Sequence, residues 1–217
     1  RRAMGTIERS EERDRAIEAA LPHVPLDGWT TKALRAGLAD AGFDQADLAL
    51  LFPGGTVEAI EVWCDLADRR MAAELGRLDL AAMRIRDRVT AAIRIRLDQN
   101  AGRKEAVARA TALLALPQNA MAAARVTART VDAIWVAIGD RSADLSWYTK
   151  RASLAAIYSA TILYWLRDES LEAEATLRFL DRRIETLMLI PKVQRRLTDL
   201  AARLPDPFGL RGRLGRA

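Results

Sequence analysis

One cysteine and one histidine stand in 217 residues, and these two scarcities narrow the possible chemistry more than any other feature of the composition. A lone thiol, Cys64, cannot close a disulfide within the chain, so no cross-linked scaffold is available. It falls in the apolar-periodic run of Val57, Ile60, Trp63 and Ala67, which predicts a buried structural thiol rather than a nucleophile. The lone imidazole, His23, lies between Pro22 and Pro25, where a turn is expected, and Ala20 occupies the position three residues before it. The Glu-x-x-His pairs of a di-iron bundle are therefore missing. There is no Cys/His metal spacing, Gly-x-Gly-x-x-Gly run, phosphate loop or serine elbow, so the chain is expected to have no catalytic residues, no metal and no cofactor. The acidic pairs Glu11/Glu12 and Glu172/Glu174 read as solvated helix faces. Long hydrophobic runs are scarce too. The most apolar stretch, Ala152 to Leu166, ends in Arg167 and Asp168, short of the roughly 18 uncharged residues of a membrane span. The opening RRAMGTIERSEERD has neither an apolar secretory core nor the acid-poor composition of a transit peptide, which reads as an intracellular protein of bacterial style.

What is present is helical. Twelve glycines and seven prolines leave few turns, while Ala, Leu, Arg and Glu dominate, and apolar residues recur at helical spacing with no alternating strand pattern. Helices are predicted over 8–21, 30–41, 44–52, 55–76, 79–98, 102–116, 118–138, 147–167, 170–189 and 192–204. Pro22 and Pro25, Gly42, Pro53-Gly54-Gly55, Pro117, the segment 139–146 and Pro191 mark the breaks. A chain 50% hydrophobic and 29% charged can bury one sizeable core. Net charge is +5, with the basic residues nearly all arginine, and residues 191–217 carry seven Lys or Arg against two Asp. That end favours an acidic surface.

The segment GDRSADLSWYTKR, Gly139 to Arg151, runs into ASLAAIYSATILYWLRD, Ala152 to Asp168. Gly139, Asp140, Ser142 and Asp144 form a turn cluster, and Asp144 or Ser146 can cap a helix beginning near Trp147. Trp147, Tyr148, Arg151, Leu154, Tyr158 and Trp165 give that helix more aromatic surface than one core stripe needs. Taken alone, Trp147 and Tyr148 read as a hydrophobic plug under the preceding loop. The pattern as a whole, however, resembles the signature of the ninth Coq family, the lipid-binding accessory proteins of ubiquinone biosynthesis. In that family Gly-Asp-x-Ser-x-Asp precedes Trp-Tyr-Thr-Lys/Arg-Arg and an Ala/Ile/Tyr-rich helix. The resemblance implies a non-catalytic factor on a TetR-like scaffold that draws a ubiquinone precursor from the bilayer. It also implies presentation of that lipid to the di-iron demethoxyubiquinone hydroxylase, with Asp144, Trp147, Tyr148, Lys150 and Arg151 as the docking patch.

The first third, Ile7 to Leu75, is similar to the helix-turn-helix domain of TetR regulators through Gly28-Trp29-Thr30, Leu34, Ala39, Gly42, Leu48, Phe52 and Pro53. A recognition helix needs basic or neutral donors facing phosphate and bases. Here Asp44 stands at the cap, Asp47 within the helix, Ala49 and Leu51 on its face, and Gly55 where a lysine is usual, so no specific DNA binding is expected. The next part occupies the place of the TetR ligand domain, where bundle cores commonly hold cavities. Ile134, Trp135, Ile138, Leu154, Ile157, Tyr158, Ile162 and Trp165 are the candidate lining of a lipid pocket, with Leu187 as its floor; the same stripe would equally serve as plain core. Last comes a short helix with Val193, Leu197, Leu200 and Leu204 on one stripe and Arg195 and Arg196 off it, followed by Phe208. It suits an interfacial membrane anchor or a helix docked on the bundle.

The expected fold is all-α and TetR-like. The expected division is a disordered lead (1–7), a degenerate helix-turn-helix domain (8–76), a lipid-binding bundle (77–190) and a basic amphipathic helix and tail (191–217). TetR-like scaffolds pair through their late helices, here about 147–189, so a homodimer is expected. It is expected to lie in the cytoplasm, peripheral to a bacterial inner membrane. Two rivals are a ligand-responsive TetR-type regulator and an assembly protein that docks without lipid.

Overall fold

A computed structural model describes residues 7–139 and 145–186, and of 145–147 only the backbone. Every regular element among the described residues is helical: α1 (Glu11–Ala20), α2 (Val24–Asp27), α3 (Thr31–Asp40), α4 (Leu48–Leu51), α5 (Gly55–Leu75), α6 (Ile85–Gln99), α7 (Lys104–Leu114), α8 (Ala120–Ala137), α9 (Leu145–Trp165) and α10 (174–186). The helix expected over 192–204, with its membrane residues Val193, Arg195, Arg196, Leu197, Leu200 and Leu204, lies outside the described residues, as do Phe208 and Leu187.

Local chemistry starts these helices where the sequence places them. Ser10 accepts from the Arg13 amide at 3.2 Å, and Glu11, Glu12 and Asp14 follow in the first turn of α1, complementing the helix dipole. Thr30 caps α3 by accepting from the Ala33 amide. Gly37 decides how these two helices cross: a Cβ there would lie 2.4 Å from the Cα and N of Ala20, so only glycine lets the backbones meet.

Several boundaries differ from expectation. Pro22 and Pro25 do not break the chain into a turn. Leu21–His23 is a 3-10 turn and Val24–Asp27 a turn of α-helix, each with its proline in the first two positions, where a missing N–H costs nothing. The chain leaves helix only at Gly28, with φ +70°. The helix expected over 44–52 shrinks to a 3-10 turn, Gln45–Asp47, and the single turn of α4, because Phe52 swings to φ −132° and buries its ring. The segment expected as one helix from 79 begins instead with the 3-10 turn Leu80–Ala82, and α6 starts at Ile85 after an extended Arg84.

Two clusters of buried side chains share α5. Its first half joins α1, α3, Trp29 and Phe52, with Ala106 and Ala110 of α7 closing that cluster. Its second half, through Met71 and Leu75, joins α6, α8, α9 and α10. The indole N–H of Trp29 donates to the Ala106 carbonyl at 3.0 Å, and the Trp29 and Trp63 rings sit 5.3 Å apart. Val107 of α7 packs against both clusters.

Candidate functional site

Where the two clusters meet, α5, α6, α7, α8 and α9 leave a cavity of about 280 Å³. Side chains such as Trp63, Leu97, Val107, Leu114, Ile162 and Trp165 make its walls apolar. Its inner end is formed by Cys64, Ala67 and the buried Arg96, whereas Ala115, Ser159 and Leu163 are exposed and mark its opening. Ala123 and Thr127 line both this cavity and a neighbouring groove of about 780 Å³ between α8 and α9, walled by Ala124, Ala128, Ala152 and Ala155. The two spaces adjoin at those two residues, and Arg129, Asp132 and Arg151 also line the groove.

The helical repeat explains which residues reach the cavity. On α6, Arg96 and Leu97 line it from the stripe they share with buried Val89 and Ile93; on α5, Ile60, Cys64 and Ala67 line it from one stripe, with Asp68 and Met71 buried farther along that face. Arg96 and Asp68 are 5% and 6% exposed. Their Nε and Oδ1 atoms are 3.3 Å apart, but misaligned, so that neither has a hydrogen-bond partner among the described residues. Thr130 donates to the other Asp68 oxygen at 3.0 Å, and Arg96 Nη2 donates to the Tyr158 hydroxyl at 3.3 Å. Burial pushes the Asp68 carboxyl upward, against the pull of Arg96 and Thr130. It likewise pushes up the Tyr158 hydroxyl, and it drives the Cys64 thiol to about 11. The thiol is thus almost wholly protonated and slow to react at neutral pH.

The expected lipid-pocket residues separate into two groups. Tyr158, Ile162 and Trp165 line the cavity. Ile134, Trp135, Ile138 and Leu154 are fully enclosed in the second cluster, with Ile157 packed against it. Those four fill the seam where α8 meets α6, α9 and α10, and the space opens one face away. Half of the actual lining comes from α5, α6 and α7, which the sequence reading passed over. Its signal was available: Arg96 falls on the same helical stripe as Val89, Ile93 and Leu97, where a solvated arginine does not belong.

Of the docking residues, Asp144 and the side chain of Trp147 lie outside the described residues. Tyr148 is 70% exposed. Lys150 sits over the Trp135 ring at 5.7 Å and Arg151 pairs with Asp132 at 2.8 Å. On the would-be recognition face, Asp44 accepts from the Ala46 amide at 2.8 Å and caps a 3-10 turn. Leu51 is partly buried against the first cluster, Ala49 is exposed, and Gly55 has φ +68°. Among the described residues no group of three or more His, Cys, Asp or Glu is placed to hold a metal, and no helix is long and apolar enough to cross a membrane.

By shape, the chain is similar to a TetR transcriptional regulator from Nitrosomonas europaea ATCC 19718. The TM-score is 0.66 at 22% identity, over 82% of this chain and 99% of that one. That likeness defines the class of scaffold, all-α and TetR-like. By sequence, the COQ9 family model matches residues 120–191, from the start of α8 through α10 and beyond. Mitochondrial ubiquinone biosynthesis protein COQ9 of Homo sapiens is 34% identical over 180 residues, 80% of this chain and 57% of that protein. Its counterpart in Schizosaccharomyces pombe is 34% identical over 169 residues, 78% of this chain and 67% of that protein. The chain belongs to the COQ9 family, and it spans a little over half the length of the human relative.

Proposed function

We propose that this protein is a non-catalytic lipid-binding accessory factor of ubiquinone biosynthesis. It takes an isoprenoid quinone precursor at a membrane surface and presents it to the demethoxyubiquinone hydroxylase. The observation that carries the reading is the apolar cavity between α5 and α9 in a member of a family whose relatives are named for ubiquinone biosynthesis. At about 280 Å³ the cavity lies just below the usual range of ligand sites, roughly 300–1,000 Å³. It suits a ring and the first part of a tail, with the rest running along the groove between α8 and α9. Shielding the tail lowers the cost of extraction by about 25 cal/mol for each Å² of apolar surface covered. Exposed Leu163, Tyr164 and Leu116 lie at or beside residues of the opening, where lipid would enter from the cytoplasmic face of a bacterial inner membrane.

Extraction of freshly purified protein from a ubiquinone-making host, followed by mass spectrometry, is expected to yield isoprenoid or phospholipid in stoichiometric amount. Added quinone precursor is expected to raise the melting temperature of delipidated protein. Well-folded protein that carries no lipid and shows no such rise would refute the lipid-binding reading and leave an assembly protein.

A further inference from the structure

Resting on the reading of the cavity as a lipid site, we propose that Arg96 is its head-group receptor. The site then selects lipids whose head is an uncharged oxygen acceptor, such as a quinone or phenol ring, over a carboxylate or a bare hydrocarbon. A guanidinium carries five N–H donors and no acceptor. At the inner end of this cavity it spends one on the Tyr158 hydroxyl, and its Nε faces Asp68 at 3.3 Å without forming a hydrogen bond among the described residues. The apolar walls, Trp63, Leu97, Val107, Leu114 and Ile162, offer no side-chain acceptor; the polar side chains that share the lining are Cys64, Asn100, Thr111, Thr127 and Ser159, and Asn100 donates its side-chain amide to the Arg96 carbonyl at 2.9 Å. A buried donor without an acceptor is costly, so a ligand that brings an oxygen to Arg96 removes a cost that a hydrocarbon leaves in place. The charge balance sets the sign of the head. Asp68, held by Thr130 at 3.0 Å, already faces Arg96, and a carboxylate ligand would bury a second negative charge against a single guanidinium. The polar cluster lies at the closed end and the exposed Ser159 and Leu163 at the open one, so the lipid enters head first.

Three probes that differ at the head separate the possibilities: a decyl-substituted dimethoxymethylbenzoquinone, decylbenzene and 4-decylbenzoate. Each is titrated against the full chain, with protection of Cys64, which lines the cavity, from alkylation as the readout. The quinone is expected to protect at a concentration at least roughly tenfold below that of decylbenzene, as one charge-assisted hydrogen bond allows, with the benzoate weaker than the quinone. In the double variant Arg96→Met/Asp68→Leu, which replaces the buried pair by apolar side chains, quinone and decylbenzene are expected to protect about equally, at the concentration decylbenzene needs on the native chain. Equal protection by quinone and decylbenzene on the native chain overturns the assignment of Arg96 while leaving the lipid site standing. So does tightest binding of the benzoate, or a quinone preference that survives in the variant. If no probe protects Cys64, the lipid reading falls and this one with it. Should the variant fail to fold, the ratio measured on the native chain alone decides.

Discussion

The reactivity of Cys64 tests the geometry of the cavity without any ligand. It is the single thiol of the chain and lines the cavity at the inner end beside Arg96. Burial raises its pKa from an ordinary 9.0 to about 11, with Asp68 adding to the rise and Arg96 opposing it. The thiolate is the reacting form, and at pH 8 a thiol of pKa about 9 is roughly one-tenth ionised whereas one of about 11 is roughly one-thousandth ionised. Native protein should therefore react with iodoacetamide about 100-fold more slowly than the same chain unfolded in urea, before any slowing from restricted entry. The pH profile carries the sharper signature: the native rate should climb about tenfold per pH unit through pH 10, while the unfolded rate flattens above about pH 9. Mass spectrometry of the alkylated chain gives both rates. Native and unfolded rates within about threefold of one another, or a native profile that flattens near pH 9, would show that Cys64 faces bulk water and that the cavity wall is drawn wrongly.

Gly37→Ala is expected to destabilise the fold by about 3 kcal/mol, the upper end for an added methyl in a packed interface, because its Cβ would meet Ala20 backbone atoms at 2.4 Å; an unchanged denaturant midpoint would mean α1 and α3 do not cross so closely. Anionic liposomes are expected to pull down the full chain, less so at high salt, and to lose it when residues 191–217 are removed, since that segment holds seven Lys or Arg and the Val193, Leu197, Leu200, Leu204 stripe. Equal recovery of the truncated protein would move the membrane contact onto the exposed side chains around the cavity opening.

Helix periodicity made most of the fold legible, and it failed where tertiary packing overrode it. Proline ends a helix interior, so Pro22 and Pro25 read as breakers, yet each sits where a new helical turn begins, and only the positions of the neighbouring turns reveal that. Phe52 continues the apolar pattern of the preceding turn, but burying its ring against the first cluster pulls its backbone out of helix. The cavity was harder. An apolar stripe says that a face is buried and not whether the space beyond it is filled; Ile134 and Ile162 look alike in sequence, while the first is sealed in the core and the second lines a void. Buried charge was the better guide. Asp68 and Arg96 each interrupt an otherwise apolar stripe, and a charged side chain on a buried face needs a partner across the helix interface.

The N-terminal helices have a structural task at the cavity. Ile60 and Trp63 belong to the first cluster and also line the cavity, as does Ala110 of α7. Trp63 is held in place by Trp29, and the Trp29 indole N–H is anchored on the Ala106 carbonyl. Trp29 stands just before α3, so the N-terminal helices brace one wall of the cavity. Trp29, Phe52 and the close crossing at Gly37 thus belong to the packing behind that wall, whereas Asp44 and Ala49 are exposed and do not line the cavity.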